Sequence, residues 1–142
     1  MLEAEIIACC APTLAGLKTA NMFSYKPRRM EELSLELRQA NSKLNEKGVF
    51  VEVLKAGERR ALLYVYRKGM LETDLRREGA SGLLRSCGYE NAEPEACIRH
   101  LKTRFAGYDG FPHEVGLFLG YPLHDVMGFI EQRSIEKVNS TL

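Results

Sequence analysis

Alternating hydrophobic positions in the middle of the chain predict a small β-sheet. In the first run, Val49, Val51 and Val53 alternate with Phe50, Glu52 and Leu54. In the second run, Ala61, Leu63 and Val65 alternate with Leu62, Tyr64 and Tyr66, and a polar turn containing glycine separates the two runs. Such alternation is typical of strands, so we predict an antiparallel hairpin over 49–67. A further short strand is predicted near 21–25, after a loop that begins at Ala11.

Apolar residues spaced three and four apart predict the helices that cover this sheet. The clearest pattern begins at Pro27 and ends at Gly48, and another begins at Pro94. Proline suits the first turn of a helix, and glycine suits the position just after its last turn. Shorter patterns predict helices over 2–10 and within 70–87. The expected fold class is therefore α+β, with helices covering a small antiparallel sheet.

Residues 111–131, here called the signature segment, read FPHEVGLFLGYPLHDVMGFIE. Their spacing predicts two short amphipathic helices joined by a turn at Gly120-Tyr121-Pro122, an arrangement similar to a helix-turn-helix. Residues 111–132 contain no lysine or arginine, and several carboxylates lie among them. A recognition helix needs cationic or amide side chains, so we do not expect this hairpin to bind duplex nucleic acid. We interpret it as a packing element that closes the core.

Composition changes this picture little. The chain of 142 residues is 45% hydrophobic and 27% charged, with a formal net charge of +1, as expected for a single globular domain over 1–142. Near-neutral charge predicts no general attraction to nucleic acid or anionic lipid, and no apolar run is long enough to span a bilayer. An acidic amino terminus and four cysteines without a Cys-x-x-Cys pair favour a cytoplasmic protein with reduced thiols.

Three side chains are candidates for catalysis: Cys10, His113 and Glu114. A cysteine becomes nucleophilic beside a base, a cation or a helix N-terminus, and a new helix beginning at Pro12 would place Cys10 near such an end. His113 would then act as the base, with Glu114 orienting it. The same three side chains are alternative metal ligands, although the zinc-protease motif is excluded because residue 117 is not histidine. The structural alternative is a buried thiol and a hydrogen-bonding histidine.

A second candidate site is predicted where the hairpin ends. Tyr64 and Tyr66 share one face of the predicted strand, and Arg67 follows them. Two phenols near an arginine are suited to an anionic or planar ligand, although a solvated charged rim gives the same pattern. The hypothesised pocket comprises Cys10, Thr13, Tyr66, Arg67 and His113. The preferred interpretation is a small-anion-binding or regulatory protein, and no phosphate loop or dinucleotide motif identifies a cofactor.

Three motifs give the chain a resemblance to a known family. They are CAPTLAGLKTANMFSY (Cys10–Tyr25), LLYVYR (Leu62–Arg67) and the signature segment. Over about residues 8–132, the chain resembles a bacterial family of unknown function that is best represented in anaerobic Firmicutes. The resemblance implies a shared fold and no established activity. The matching positions are Cys10, Pro12, Thr13, Tyr66, Arg67, Pro112, His113, Glu114, Gly120 and Asp125.

The tail departs from this family pattern. Members of the family usually continue with a Trp-Lys-Val-Tyr-like strand and a final helix that carries cysteine, whereas this chain has no tryptophan. Residues 132–142 therefore look like a divergent or truncated tail. A missing strand would expose a sheet edge or an apolar face, so we expect a partner chain to cover it.

Overall fold

A three-stranded antiparallel sheet forms the centre of the computed structural model, which describes residues 1–107 and 110–128. The strands are β1 (Ala20–Tyr25), β2 (Val49–Ala56) and β3 (Ala61–Arg67), in the order β1-β3-β2. Both pairings of β3 are antiparallel. The predicted α+β class, the hairpin and the additional strand are confirmed.

Helices cover both faces of this sheet. Their bounds are α1 Leu2–Cys9, α2 Ala11–Leu14, α3 Leu33–Leu44, α4 Lys68–Leu75, α5 Ala80–Ser86, α6 Pro94–Ala106 and α7 Val115–Phe118. One 3-10 turn, Met30–Glu32, leads into α3, and another, Asn45–Lys47, follows it. Residues 123–128 are again helical.

Two hydrophobic cores lie on the two faces of the sheet, with β3 buried between them. Leu63 and Val65 belong to the core that α1 and α3 cover, whereas Tyr64 and Tyr66 belong to the core formed with α4–α7. Successive side chains of a strand point to opposite faces, which explains this division. The rings of Tyr64 and Tyr66 stack with centroids 4.8 Å apart, so the prediction that they share a face is confirmed.

Two predicted element boundaries are wrong. Residues 11–14, expected to be a loop, form the short helix α2, because proline is tolerated in the first turn, where its missing N–H has no intrahelical partner. The helix expected from Pro27 begins only at Leu33, after the 3-10 turn that starts at Met30, since the backbone is still extended at Arg29 (φ −141°, ψ 135°). Its end was predicted correctly: Gly48 adopts the left-handed conformation, with φ of +79°.

The signature segment packs against the core of α4–α6. Leu117, Phe118 and Val126 are buried, in agreement with the predicted packing role. The first helix of the segment, α7, is a single turn and is shorter than predicted. The turn contains Gly120 at φ of +86°. Residues 129–131 of the segment and the predicted tail 132–142 lie outside the described residues.

Candidate functional site

Cys10 does not meet the other two candidate catalytic residues. It is fully buried in the core that α1 and α3 cover, whereas Glu114 contacts α6 on the opposite face of the sheet. Burial, assisted by the neighbouring Cys9, raises the pKa of the Cys10 thiol to about 12. A buried neutral thiol is a poor nucleophile. This placement gives the thiol-enzyme hypothesis no support.

Glu114, which is fully buried, fastens the signature segment to α6. Its carboxylate accepts hydrogen bonds from Arg104 Nε at 2.8 Å, Arg104 Nη2 at 2.9 Å and the Tyr89 hydroxyl at 2.9 Å. Burial alone would raise the pKa of Glu114, but the bonds from Arg104 and Tyr89 outweigh it and hold the pKa below its ordinary value. The neighbouring His113 lines a cavity of about 620 Å³ together with Arg104 and Cys87.

The metal-site hypothesis also finds no support in the described part of the chain. Across residues 1–107 and 110–128, no group of three histidine, cysteine, aspartate or glutamate side chains is arranged to hold a metal ion. Cys10 and Glu114 in particular lie on opposite faces of the sheet.

Arg67 and Thr13 are brought together, but in a contact that fastens α2 to the sheet. Arg67 donates from Nε to Thr13 O at 2.7 Å, from Nη2 to Leu14 O at 2.6 Å and from Nη1 to Lys47 O at 3.3 Å. The Thr13 hydroxyl donates to Asn21 Oδ1 at 2.7 Å. A guanidinium that bonds the last carbonyls of a helix stabilises the helix end. These polar groups therefore serve the fold.

A further buried contact attaches the signature segment to the sheet: the Tyr64 hydroxyl of β3 donates to the carbonyl oxygen of Phe118. Beside the segment, the Thr19 hydroxyl donates to Asp74 Oδ2 in a second buried pair. The backbone at Gly120 passes so close to this second pair that a Cβ on Gly120 would lie 2.7 Å from Thr19 Oγ1. Glycine is required here both for its positive φ and for this close approach.

Tyr66, in contrast, lines an open groove beside the edge strand β2. This edge groove has a volume of about 470 Å³ and lies between α3 and α6. Its aromatic floor is the stacked pair of Phe50 and Tyr66, with ring centroids 5.7 Å apart. Residues three and four apart share one face of a helix, and each helix contributes such a row to the groove. The rows are Arg38, Asn41 and Asn45 on the α3 side and Glu95, Ile98, Arg99 and Lys102 on α6.

Among the described residues, the carboxylates of the edge groove form only exposed ion pairs. Glu52 lies 3.7 Å from Lys102, and both side chains are more than a third exposed (37% and 39%). Glu95 pairs with Lys68 at 2.9 Å in a still more exposed position, and the Lys68 bond lowers the pKa of Glu95. Exposed pairs of this kind contribute about 0–1 kcal/mol to stability. The fold therefore depends little on them.

Within the described part of the chain, the arginines of the edge groove form no ion pair with a carboxylate. Neither Arg38 nor Arg99 forms an ion pair with any residue in 1–107 or 110–128, although the charge of Arg99 contributes to lowering the pKa of Glu95. Arginine presents a planar fork of donors that matches a carboxylate or a phosphate. Two such forks stand at the rim of the same groove.

The Tyr66 hydroxyl forms no hydrogen bond with any residue in 1–107 or 110–128. Only 4% of the residue is exposed, but the hydroxyl itself is open to solvent. Burial, and then the charges of Glu52 and Glu95, raise the pKa of Tyr66, so the phenol stays neutral and is able to donate. Because the hydroxyl is open to solvent, water satisfies it in the free protein, and a ligand in the edge groove would replace that water.

Asn41 closes the edge of β2 to an added strand. Its Nδ2 donates to Val51 O at 3.0 Å, and Val51 N donates to its Oδ1 at 2.8 Å. An edge strand otherwise offers such unpaired backbone groups to another chain. Because the Val51 groups are already bonded, the edge groove is suited to a small molecule rather than to an extended peptide.

Comparison with known proteins supplies a family and no activity. The family described as protein of unknown function (DUF3793) matches residues 6–141. The chain belongs to this family. The match continues past residue 132, where the motif-based resemblance ends. No curated protein and no solved structure matches the chain significantly, and no helix within the described residues is long and apolar enough to cross a membrane.

For this DUF3793 member, the sequence motifs and the groove overlap at a single residue, Tyr66. Sequence reasoning missed Arg38, Arg99 and Lys102. Their signal is a polar row at helical spacing on α3 and α6, opposite the apolar stripe. The same row is typical of an ordinary solvated helix face, so the pattern alone does not distinguish a groove wall.

Proposed function

We propose that this DUF3793 protein binds a small anion in the edge groove. The observation that carries the proposal is the Tyr66 hydroxyl, which is open to solvent on a nearly buried side chain that lines the groove and forms no hydrogen bond with the described residues. Arg38 and Arg99, both without an ion pair in the described part of the chain, supply the positive charge.

Groove size and chemistry support the same ligand class. A volume of about 470 Å³ falls within the usual range of small-molecule sites, which combine an apolar surface with a few polar groups. Phe50 and Tyr66 supply that surface. A carboxylate or phosphate group would accept hydrogen bonds from the arginines and from the Tyr66 phenol. A regulatory role and a cytoplasmic location belong to the proposal, and four free thiols fit a reducing compartment.

Isothermal titration of the full chain with 3-phenylpropanoate, benzoate and phenyl phosphate tests the proposal. We expect at least one of these acids to bind, and we expect Arg38→Ala and Arg99→Ala each to weaken its binding about tenfold, or about 1.4 kcal/mol. Tyr66→Phe should weaken it by a smaller factor, because a single neutral donor is lost.

Arg59→Ala is the matched control, because Arg59 is exposed in the hairpin turn, at the opposite end of the strands from Tyr66. This variant should bind as the wild type does. If none of the three acids binds at millimolar concentration, or if both groove arginines can be removed without loss of affinity, the proposal is wrong.

A further inference from the structure

We infer that the ligand of the edge groove is a zwitterion, namely an α-amino acid with an aromatic or large aliphatic side chain. This inference rests on the proposed function and adds to it a second, positive group on the ligand and an apolar part. Three features of the groove support it: the presence of both cationic and anionic side chains, the weak ion pair of Glu52, and the aromatic floor.

Both signs of charge line the edge groove. Its described lining includes three cationic side chains and two carboxylates, Glu52 and Glu95. A site for a purely anionic molecule gains nothing from carboxylates, because like charges repel the ligand. A molecule with a carboxylate at one end and an ammonium group at the other would pair with both signs. An α-amino acid is a small molecule with this charge pattern.

Glu52 is the carboxylate best placed to accept the ammonium group. Its charge acts on Tyr66, where it adds to burial in raising the pKa of the phenol. Its only ion pair in the described residues, with Lys102, is 3.7 Å long and exposed, so little stability is lost when it opens. Glu52 would then bind the ammonium group, while Lys102 would be released toward the ligand carboxylate.

The apolar part of the ligand follows from the groove floor. Phe50 is half-buried, and its ring stacks on Tyr66, while Ile98 of α6 lines the same groove. Aromatic surfaces favour contact with rings and aliphatic groups. An amino acid with a phenyl or branched aliphatic side chain would cover this floor while its charged groups remain at the rim.

Three compounds that share a phenylethyl group test the inference on the full chain. L-Phenylalanine carries both charged groups, 3-phenylpropanoate lacks the ammonium group, and 2-phenylethylamine lacks the carboxylate. In isothermal titrations we expect L-phenylalanine to bind at least about tenfold more tightly than either relative, a difference of about 1.4 kcal/mol. The comparison isolates each charge because the phenyl group is constant.

The variant Glu52→Gln tests whether Glu52 binds the ammonium group of the ligand. This variant should weaken L-phenylalanine binding about tenfold, while the affinity for 3-phenylpropanoate stays unchanged or rises. Glu58→Gln is the matched control, because Glu58 is exposed in the hairpin turn and does not line the groove. It should leave both affinities unchanged. A thermal melt of each variant verifies that it is folded.

The possible outcomes separate the inference from the proposed function. If 3-phenylpropanoate or phenyl phosphate binds at least as tightly as L-phenylalanine, and binding requires Arg99, the zwitterion is wrong and the small-anion proposal stands. If L-phenylalanine binds equally well to wild type and Glu52→Gln, the assignment of Glu52 is wrong. If none of L-phenylalanine, 3-phenylpropanoate, phenyl phosphate and benzoate binds, both the inference and the proposed function are overturned.

Discussion

A glutamate of the signature segment and a glutamate of the edge groove each face a basic partner, but the two regions use the pair differently. Glu114 is fully buried and accepts three hydrogen bonds from Arg104 and Tyr89. Glu52, in the groove, lies 3.7 Å from Lys102, and both side chains are well exposed. One set of charges is thus committed to holding the fold, and the other remains available to a ligand.

Two adjacent tyrosines repeat this contrast on one strand. Tyr64 and Tyr66 stack on the same face of β3, yet only the Tyr64 hydroxyl has a bond in the described residues, to the Phe118 carbonyl. A hydroxyl that is bonded within the protein contributes to stability, whereas one that is open to solvent contributes little until a ligand binds. Substitutions in the two regions should therefore separate effects on stability from effects on binding.

The largest effect is expected for Glu114→Gln. The substitution breaks the pair between the buried carboxylate and Arg104, and breaking a buried ion pair costs about 3–5 kcal/mol of unfolding free energy. Urea denaturation should show a much lower midpoint with an unchanged slope. Glu52→Gln is the comparison and should change stability by no more than about 0.5 kcal/mol. Equal effects of the two variants would contradict the distinction between the regions.

The same carboxylate predicts a dependence of stability on pH. The pKa of Glu114 is lower in the folded state, so its contribution is present above the unfolded pKa, about 4.3 for a glutamate, and is lost as the pH falls through the folded value. The wild type should therefore lose more stability than Glu114→Gln on acidification. Parallel curves of unfolding free energy against pH would show that the carboxylate contributes no such stabilisation.

Gly120→Ala is expected to be the next most harmful change. A positive φ costs a non-glycine residue about 1–2 kcal/mol, and crowding against Thr19 adds about 1–3 kcal/mol. Gly48→Ala has a similar φ of +79° but open space around its Cβ, so it should show the backbone cost alone. Thermal or urea unfolding of both variants measures the difference. Equal losses of unfolding free energy would mean that Thr19 moves away from the new Cβ at no energetic cost.

Tyr64→Phe and Tyr66→Phe compare a bonded hydroxyl with an unbonded one. Removing the Tyr64 hydroxyl leaves the buried Phe118 carbonyl without this bond, at a cost of about 1–3 kcal/mol. Tyr66→Phe removes no bond formed by the described residues and should change the unfolding free energy by less than about 0.5 kcal/mol. A stability loss at Tyr66 equal to that at Tyr64 would argue against its role as a ligand donor.

The smallest effects on stability are expected at the groove arginines. Arg38 and Arg99 are exposed and form no ion pair in the described ranges. Arg38→Ala and Arg99→Ala should therefore leave the unfolding free energy within about 0.5 kcal/mol of the wild type, even though both are expected to weaken ligand binding. A large fall in unfolding free energy for either variant would place that arginine among the groups that hold the fold.

The parts of the fold that were predictable from sequence are those with local causes. Alternation identified β2 and β3, and proline at position 94 identified the start of α6. The start of α3 was misplaced because Pro27 fits both the first turn of a helix and an extended segment. Such boundaries depend on the path that the chain takes from the end of β1 to the helix that packs on the face of the sheet. The local sequence pattern does not encode this path.

The candidate site was predictable only in part, for a related reason. Tyr66 stands out because strand alternation fixes its face. The partnership of Glu114 with Arg104 joins the signature segment to α6, and no local spacing indicates it. The edge groove likewise forms only where α3, β2 and α6 come together. The sequence pattern identifies side chains that are able to bind a ligand or take part in catalysis. Tertiary packing determines which of them are already bonded to other parts of the fold.

The location of the ligand is tested most directly by following backbone amides in a heteronuclear NMR titration of the wild type with L-phenylalanine and with 3-phenylpropanoate. We expect the shift changes to concentrate at Phe50, Val51, Tyr66 and Arg99, with Gly116 and Val126 of the signature segment unaffected. Shift changes centred on the signature segment, or no shift changes with either compound, would contradict binding in the edge groove.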